Sequence, residues 1–162
     1  MRSSTHRMKK PVLSIVIASF ILVADYITKR IIEDRISLYD QINVLPFLNI
    51  VHVENKGAAF GMFAGLGNEI FIVFSLVAIL FIIVYLFKTT RATEIWALSL
   101  ILGGAAGNLL DRILIGKVVD FIDVYIGKWH WPSFNVADSA LTVGISLFVI
   151  SSLLDARNTT AE

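Results

Sequence analysis

The chain of 162 residues contains no cysteine, which excludes a disulfide framework, a thiolate nucleophile and any cysteine-ligated metal centre. Charge is scarce as well: 17% of the residues are Asp, Glu, Lys or Arg, against about 25% in an ordinary soluble domain. The formal net charge is +1, and no basic stripe interleaved with aromatics occurs beyond the extreme N-terminus, so there is no electrostatic footprint for nucleic acid. No His-Glu-x-x-His pair offers a zinc peptidase site, and His52 and His130 lack partners at metal-ligand spacing; each reads as a lone surface histidine. Repeats and low-complexity segments are also missing.

What fills the chain is apolar. Hydrophobic residues make up 56% of it and its mean hydropathy is +0.75, more than a soluble core of this size can hide. A helix needs about 20 mostly apolar residues to cross roughly 30 Å of hydrocarbon. Four segments qualify, at about 12–32, 69–87, 95–115 and 135–154, within one integral membrane domain spanning 1–162. The first follows the basic cluster Arg2, Arg7, Lys9 and Lys10, opens just after Pro11 and continues through Ile31 and Ile32 with no small-residue cleavage site, so it reads as an uncleaved span. Ile70 to Phe87 carries no charge at all and is the plainest span. The external segments are about 33–68, where Phe47 to Val53 has strand composition, and 116–134, a short polar and aromatic connection in which Trp129, Trp131 and Phe134 suit an interfacial belt.

Parity then gathers the polar residues. With four crossings, the C-terminal ends of spans one and three and the N-terminal ends of spans two and four share one side. Asp25, Lys29, Asn108, Asp111, Arg112, Asn135 and Asp138 therefore converge on one face together with both external segments. Lys and Arg divide evenly between the two sides. The first span often dominates orientation, however, and its basic flank places both termini in the cytoplasm and the polar face outside.

Ionisable groups within spans are costly and mark functional sites by default. Asp25 and Lys29, four apart on one helix face, can pair, as can Asn108 with Arg112; structural pairing is an equally good account of the first set. Gly103, Gly104 and Gly107 fit close helix packing. Asn55, Gly57 and Gly61 suit a turn near the membrane surface, with an Asn side chain able to hold a peptide backbone. The sharpest pair is Asp120 and Asp138, which flank the same short connection. Two carboxylates in a poorly solvated pocket tend to share one proton, the arrangement an aspartic hydrolase uses. A helix-terminal carboxylate at Asp138 and a loop charge at Asp120 paired with Lys117 or Arg112 are the structural alternatives, and Asp123 is a rival to Asp120. An ion relay is disfavoured, because the intramembrane charges sit at one face instead of crossing the bilayer. A purely structural membrane scaffold would not account for two carboxylates flanking one connection.

Taken in order, Asp25-Tyr-Ile-Thr-Lys29, Glu54-Asn-Lys-Gly-Ala-Ala-Phe-Gly61, Gly103-Gly-Ala-Ala-Gly-Asn-Leu-Leu-Asp-Arg112, Val118-Val-Asp-Phe-Ile-Asp123 and Phe134-Asn-Val-Ala-Asp-Ser139 resemble the lipoprotein signal peptidase (signal peptidase II) family. The resemblance implies an all-α membrane protein with four transmembrane helices, a small extramembrane β-platform and a short surface helix, expected within 56–67. It implies an aspartic endopeptidase that removes signal peptides from diacylglyceryl-modified prolipoproteins in the bacterial inner membrane. Asp120 and Asp138 map to the catalytic pair, in preference to Asp123. Asn55, Gly57, Asn108, Arg112, Asn135 and Ala137 map to substrate-binding positions, and Asp25, Lys29 and Asp111 to structural support. No metal or other cofactor is expected, the partners implied are prolipoprotein substrates, membrane lipid and globomycin-type inhibitors, and a monomer is expected.

Overall fold

The computed structural model describes residues 4–57 and 67–159. Four helices are long and apolar enough to cross a membrane: α1 (Ser4–Arg35), α2 (Asn68–Lys88), α3 (Ala92–Ile115) and α4 (Val136–Thr159). Between them run strands β1 (Gln41–Leu45), β2 (Leu48–Asn55), β3 (Val118–Ile126) and β4 (Trp129–His130), forming one antiparallel sheet in the order β1-β2-β3-β4. The chain is thus a multi-pass membrane protein with a small sheet. The surface helix expected within 56–67 falls almost wholly on 58–66, which lie outside the described residues.

α3 is the central helix, packing against each of the other three, whereas α2 rests on α3 and scarcely touches α1 or α4. Small residues make the contacts possible. A Cβ on Gly104 would stand 2.5 Å from the Ala137 carbonyl oxygen of α4, and one on Gly107 would stand 2.6 Å from Asp25 Oδ2 of α1. Helix backbones in lipid approach this closely only where side chains are absent. α1 begins two turns before Pro11, so this proline lies inside the helix instead of at its start. Arg7, Lys9 and Lys10 fall in these first turns, where proline leaves one carbonyl without its helical donor.

α3 ends at Gly116, whose φ of 76° is the left-handed conformation glycine adopts without strain; its N–H donates to the Arg112 carbonyl at 3.2 Å. The chain reverses there into β3. The connection at 116–134 is therefore the longest strand of the sheet plus a hairpin, more than the short polar link its composition suggests. β3 is buried along most of its length, so its apolar residues run nearly continuously and the two aspartates break the alternation that marks an exposed strand. Ile32 of α1 and Ile36 just past its end pack with Val119 and Phe121 of β3, fixing the sheet beneath the helix ends.

Candidate active site

The site is assembled where the C-terminal parts of α1 and α3 meet β3 and the first turn of α4. At its base lies Lys29, fully buried. Its ammonium contacts Asp25 Oδ2 at 2.7 Å and Asp111 Oδ2 at 3.0 Å, and donates to Asn108 Oδ1 at 3.0 Å. An ammonium needs such partners in hydrocarbon. Each carboxylate also positions backbone. Asp25 Oδ1 accepts the Ala137 N–H of α4 at 2.8 Å, while Asp111 Oδ2 accepts the Val119 N–H of β3 at 3.2 Å and Asp111 Oδ1 takes Arg30 at 2.9 Å. One cluster therefore ties α1, α3, α4 and β3 together, directly behind Asp120 and Asp138.

Two asparagines carry that order forward to the carboxylates. Lys29 can only donate, so Asn108 must present Oδ1 to it, leaving Nδ2 to donate to Asp138 Oδ1 at 2.7 Å. Asn135 is the N-cap of α4: its Oδ1 accepts the Asp138 N–H at 2.8 Å, which leaves its Nδ2 to donate to Asp120 Oδ1 at 2.7 Å. Asn55, at the end of β2, donates to Asp120 Oδ2 at 3.0 Å. Both oxygens of Asp120 are thereby held, whereas Asp138 Oδ2 has no hydrogen bond among the described residues.

Burial pushes the Asp120 carboxyl up from 3.8 to about 7, and the negative charge of Asp138 adds to that rise; the amides of Asn55 and Asn135, which favour the ionised form, oppose it. Asp120 is almost fully buried and Asp138 is partly exposed. Both line a cavity of about 830 Å³ between α2, α3 and α4, together with Asn55, Asn108 and Arg112. Its outer walls are apolar or aromatic: Phe74 and Ala78 of α2, Leu141 and Val143 of α4, and Trp131 and Phe134 ahead of α4.

The remaining expected site residues stand close by. Gly57 donates its N–H to Asn55 Oδ1 at 2.9 Å, and its carbonyl accepts from Arg112 Nη2 at 3.0 Å. Arg112 also bonds the backbone carbonyl of Asn108 at 3.3 Å, so this pair meets through main chain instead of side chains. Asn135 and Ala137 are fully buried and lie behind the cavity wall. Asp123, the rival to Asp120, is engaged elsewhere. Residues three apart on a strand point to opposite faces, and Asp123 accepts from Asn49 at 2.8 Å and contacts His130 Nδ1 at 2.9 Å. Lys117 pairs with Glu54 at 2.5 Å, not with Asp120.

Composition misplaced His52 and missed the partner of His130, which is exposed as expected. His52 is buried, with Nδ1 on the Ile36 carbonyl at 2.8 Å, and His130 pairs with Asp123 while its ring stacks on Tyr125. Both sit on strands whose neighbours come from distant sequence. The α2 wall was also missed, because an all-apolar span carries no mark of which face meets a cavity. Among the described residues no three His, Asp or Glu side chains converge as a metal site.

Fold and site together define a multi-pass membrane protein in which a strand carboxylate, Asp120, and a helix-terminal one, Asp138, share one cavity. Comparison with known proteins narrows this class: the model of the signal peptidase (SPase) II family matches residues 17–154. The lipoprotein signal peptidase of Thermodesulfovibrio yellowstonii is 48% identical over 133 residues, covering 82% of this chain and 89% of that protein. That of Solibacter usitatus is 43% identical over 148 residues, covering 87% and 90%. A solved bacterial membrane enzyme superposes with a TM-score of 0.85 at 38% identity, covering 90% of each chain. The chain belongs to the signal peptidase II family and is a peptidase.

Proposed function

We propose that this protein is an aspartic endopeptidase that cleaves signal peptides from diacylglyceryl-modified prolipoproteins, with Asp120 and Asp138 as its catalytic pair. The observation that carries this reading is the joint placement of the two carboxylates in one cavity, each held by an amide whose polarity is fixed from behind. The names of the relatives supply the substrate class, and the cavity suits it. A peptide bond beside a lipid-bearing cysteine is held at headgroup depth, and α2 and α4, which scarcely touch, leave an apolar cleft for acyl chains at that depth.

In this mechanism Asp120 begins protonated and Asp138 ionised. Asp138 Oδ2 takes a proton from a water molecule as its oxygen bonds to the scissile carbonyl carbon, while the Asp120 proton polarises the carbonyl oxygen. Breakdown of the tetrahedral species breaks the C–N bond, and the leaving amine takes up a proton from the pair. Carboxylates and water suffice for these steps. Asn55, Gly57, Asn108 and Arg112 contact the peptide or shape its path, and Asn135 and Ala137 act from behind the wall. The termini lie in the cytoplasm of a bacterial inner membrane, the site faces outward, the protein works as a monomer, and globomycin-type inhibitors occupy the same cavity.

The test is conversion of a purified diacylglyceryl prolipoprotein, followed by gel mobility with and without globomycin. Asp120→Asn and Asp138→Asn should each lower the rate at least about a hundredfold in folded protein. Cleavage at the wild-type rate by either variant would refute the assignment.

A further inference from the structure

A second cavity, of about 860 Å³, opens at the opposite end of the molecule, between α1 and α2. It exists because both helices pack on α3 and scarcely meet each other. Its inner wall is apolar, built from Ile15, Ile83 and Leu102, and two cations, Lys10 and Lys88, stand in its lining.

Three features distinguish it from a gap that any hydrocarbon chain would fill. First, Lys10 and Lys88 form no ion pair among the described residues. Lys10 donates to the carbonyls of Phe87 and Thr89 at the C-terminal end of α2, which leaves its charge uncompensated by any carboxylate. The nearby carboxylate, Glu94, is already engaged by Thr89 and Arg91, and Arg91 by Asp155. Second, Ser14 lines this cavity, is 6% exposed, and its Oγ has no partner. Other helical hydroxyls here fold back on the carbonyl four residues earlier, as Ser99 does on Ile95 at 2.5 Å and Ser152 on Phe148 at 3.0 Å. A buried hydroxyl with no acceptor leaves a donor available to whatever occupies the cavity. Third, the lysines belong to the end of the bundle that carries the basic N-terminal cluster, where interhelical basic pockets take lipid headgroups.

We propose that this cleft is a binding site for an anionic phospholipid, with the headgroup phosphate at Lys10 and Lys88, Ser14 donating to a phosphate or ester oxygen, and one acyl chain laid against Ile15, Ile83 and Leu102. Charge complementarity selects the occupant. A zwitterionic lipid brings its own cation to the two lysines, while an anionic one does not.

The experiment is native mass spectrometry of the full chain released from neutral detergent, with dioleoyl phosphatidylglycerol, dioleoyl phosphatidylcholine or water-soluble glycerol phosphate added at equal concentration. The wild type should retain phosphatidylglycerol at least threefold more than phosphatidylcholine and should retain little glycerol phosphate, since that lacks the chains. Lys10→Gln/Lys88→Gln should bring the two lipids to parity. Ser14→Leu, which fills the cleft without altering charge, should lower retention of phosphatidylglycerol by a similar factor. Lys88→Gln alone, whose parent side chain makes no hydrogen bond or ion pair among the described residues, gives the same reading in reduced form should the double variant fold poorly. Equal retention of the two lipids by wild type, or an undiminished preference in the lysine and Ser14 variants, would overturn the proposal.

Discussion

Replacing Asp120 by asparagine should change how stability depends on pH, in a direction opposite to that of most carboxylates. The Asp120 carboxyl titrates at about 7 in the folded protein against 3.8 in the unfolded chain, burial being the chief cause and Asp138 the second. The folded state therefore holds this proton more tightly. The stability it contributes is complete below about pH 4, declines as pH rises, and is gone once pH passes about 7. From about pH 5 to about pH 8, roughly two pH units lie below the folded pKa, and at about 1.36 kcal/mol per unit the wild type should lose roughly 2–3 kcal/mol. Asparagine keeps the shape but has one carbonyl oxygen to offer Asn55 and Asn135, which costs about 1–3 kcal/mol at every pH. The observable is thus the difference between slopes, not the offset. Thermal unfolding in mild detergent, read by tryptophan fluorescence, should show the wild-type midpoint falling by roughly 5–10 °C more than that of Asp120→Asn between the two pH values. Asp138→Asn should shrink the wild-type slope, because one cause of the raised pKa has been removed. Parallel curves for wild type and Asp120→Asn would refute the claim that this carboxyl carries a proton at neutral pH.

Peptidase activity should share the same titration: as pH rises above about 7, Asp120 loses the proton that the proposed mechanism has it supply, and kcat/KM should fall about tenfold per further unit; a profile flat to pH 9 would contradict the proposed pairing of roles. Lys29→Met strips the cation from two buried carboxylates, Asp25 and Asp111, and should cost about 3–5 kcal/mol of stability in chemical unfolding. Gly104→Val must displace the α4 backbone, since its Cβ would stand 2.5 Å from the Ala137 carbonyl oxygen; because Asp138 follows in the same turn, prolipoprotein cleavage should drop even where the protein still inserts, and wild-type cleavage would show that α4 is free to shift.

Spans two and four were legible because an apolar run of this length admits few other readings. Asp25 with Lys29 was equally plain, since four residues on one helix is a local relation. Their third partner was not, because Asp111 lies on another helix and no local spacing announces it. Parity explains why the polar face could be placed anyway: it fixes which helix ends share a side without any knowledge of packing. It does not reach side-chain geometry. β3 escaped notice because Asp120 and Asp123 interrupt an apolar run that would otherwise read as a buried strand. The separation of those two aspartates is in turn a property of that strand, which sends one to Asn55 and Asn135 and the other to Asn49 and His130.

Why asparagines, and not lysine or arginine, touch the two carboxylates follows from what each would do to the proton. A cation against Asp120 would hold it ionised and remove the acid that the proposed mechanism needs. An amide gives a directed hydrogen bond with no net charge, so burial can still dominate and keep the pKa near 7. An amide can also turn over, however, and a flipped Asn108 or Asn135 would aim oxygen at a carboxylate. Lys29 prevents this at Asn108, and the Asp138 N–H prevents it at Asn135, because neither of those groups can accept. The Lys29 charge that orders Asn108 is thereby kept one residue away from Asp138. It is neutralised there by Asp25, whose other oxygen fixes the backbone of α4 at Ala137, next to Asp138, and by Asp111, whose same Oδ2 also takes the Val119 N–H of β3, next to Asp120.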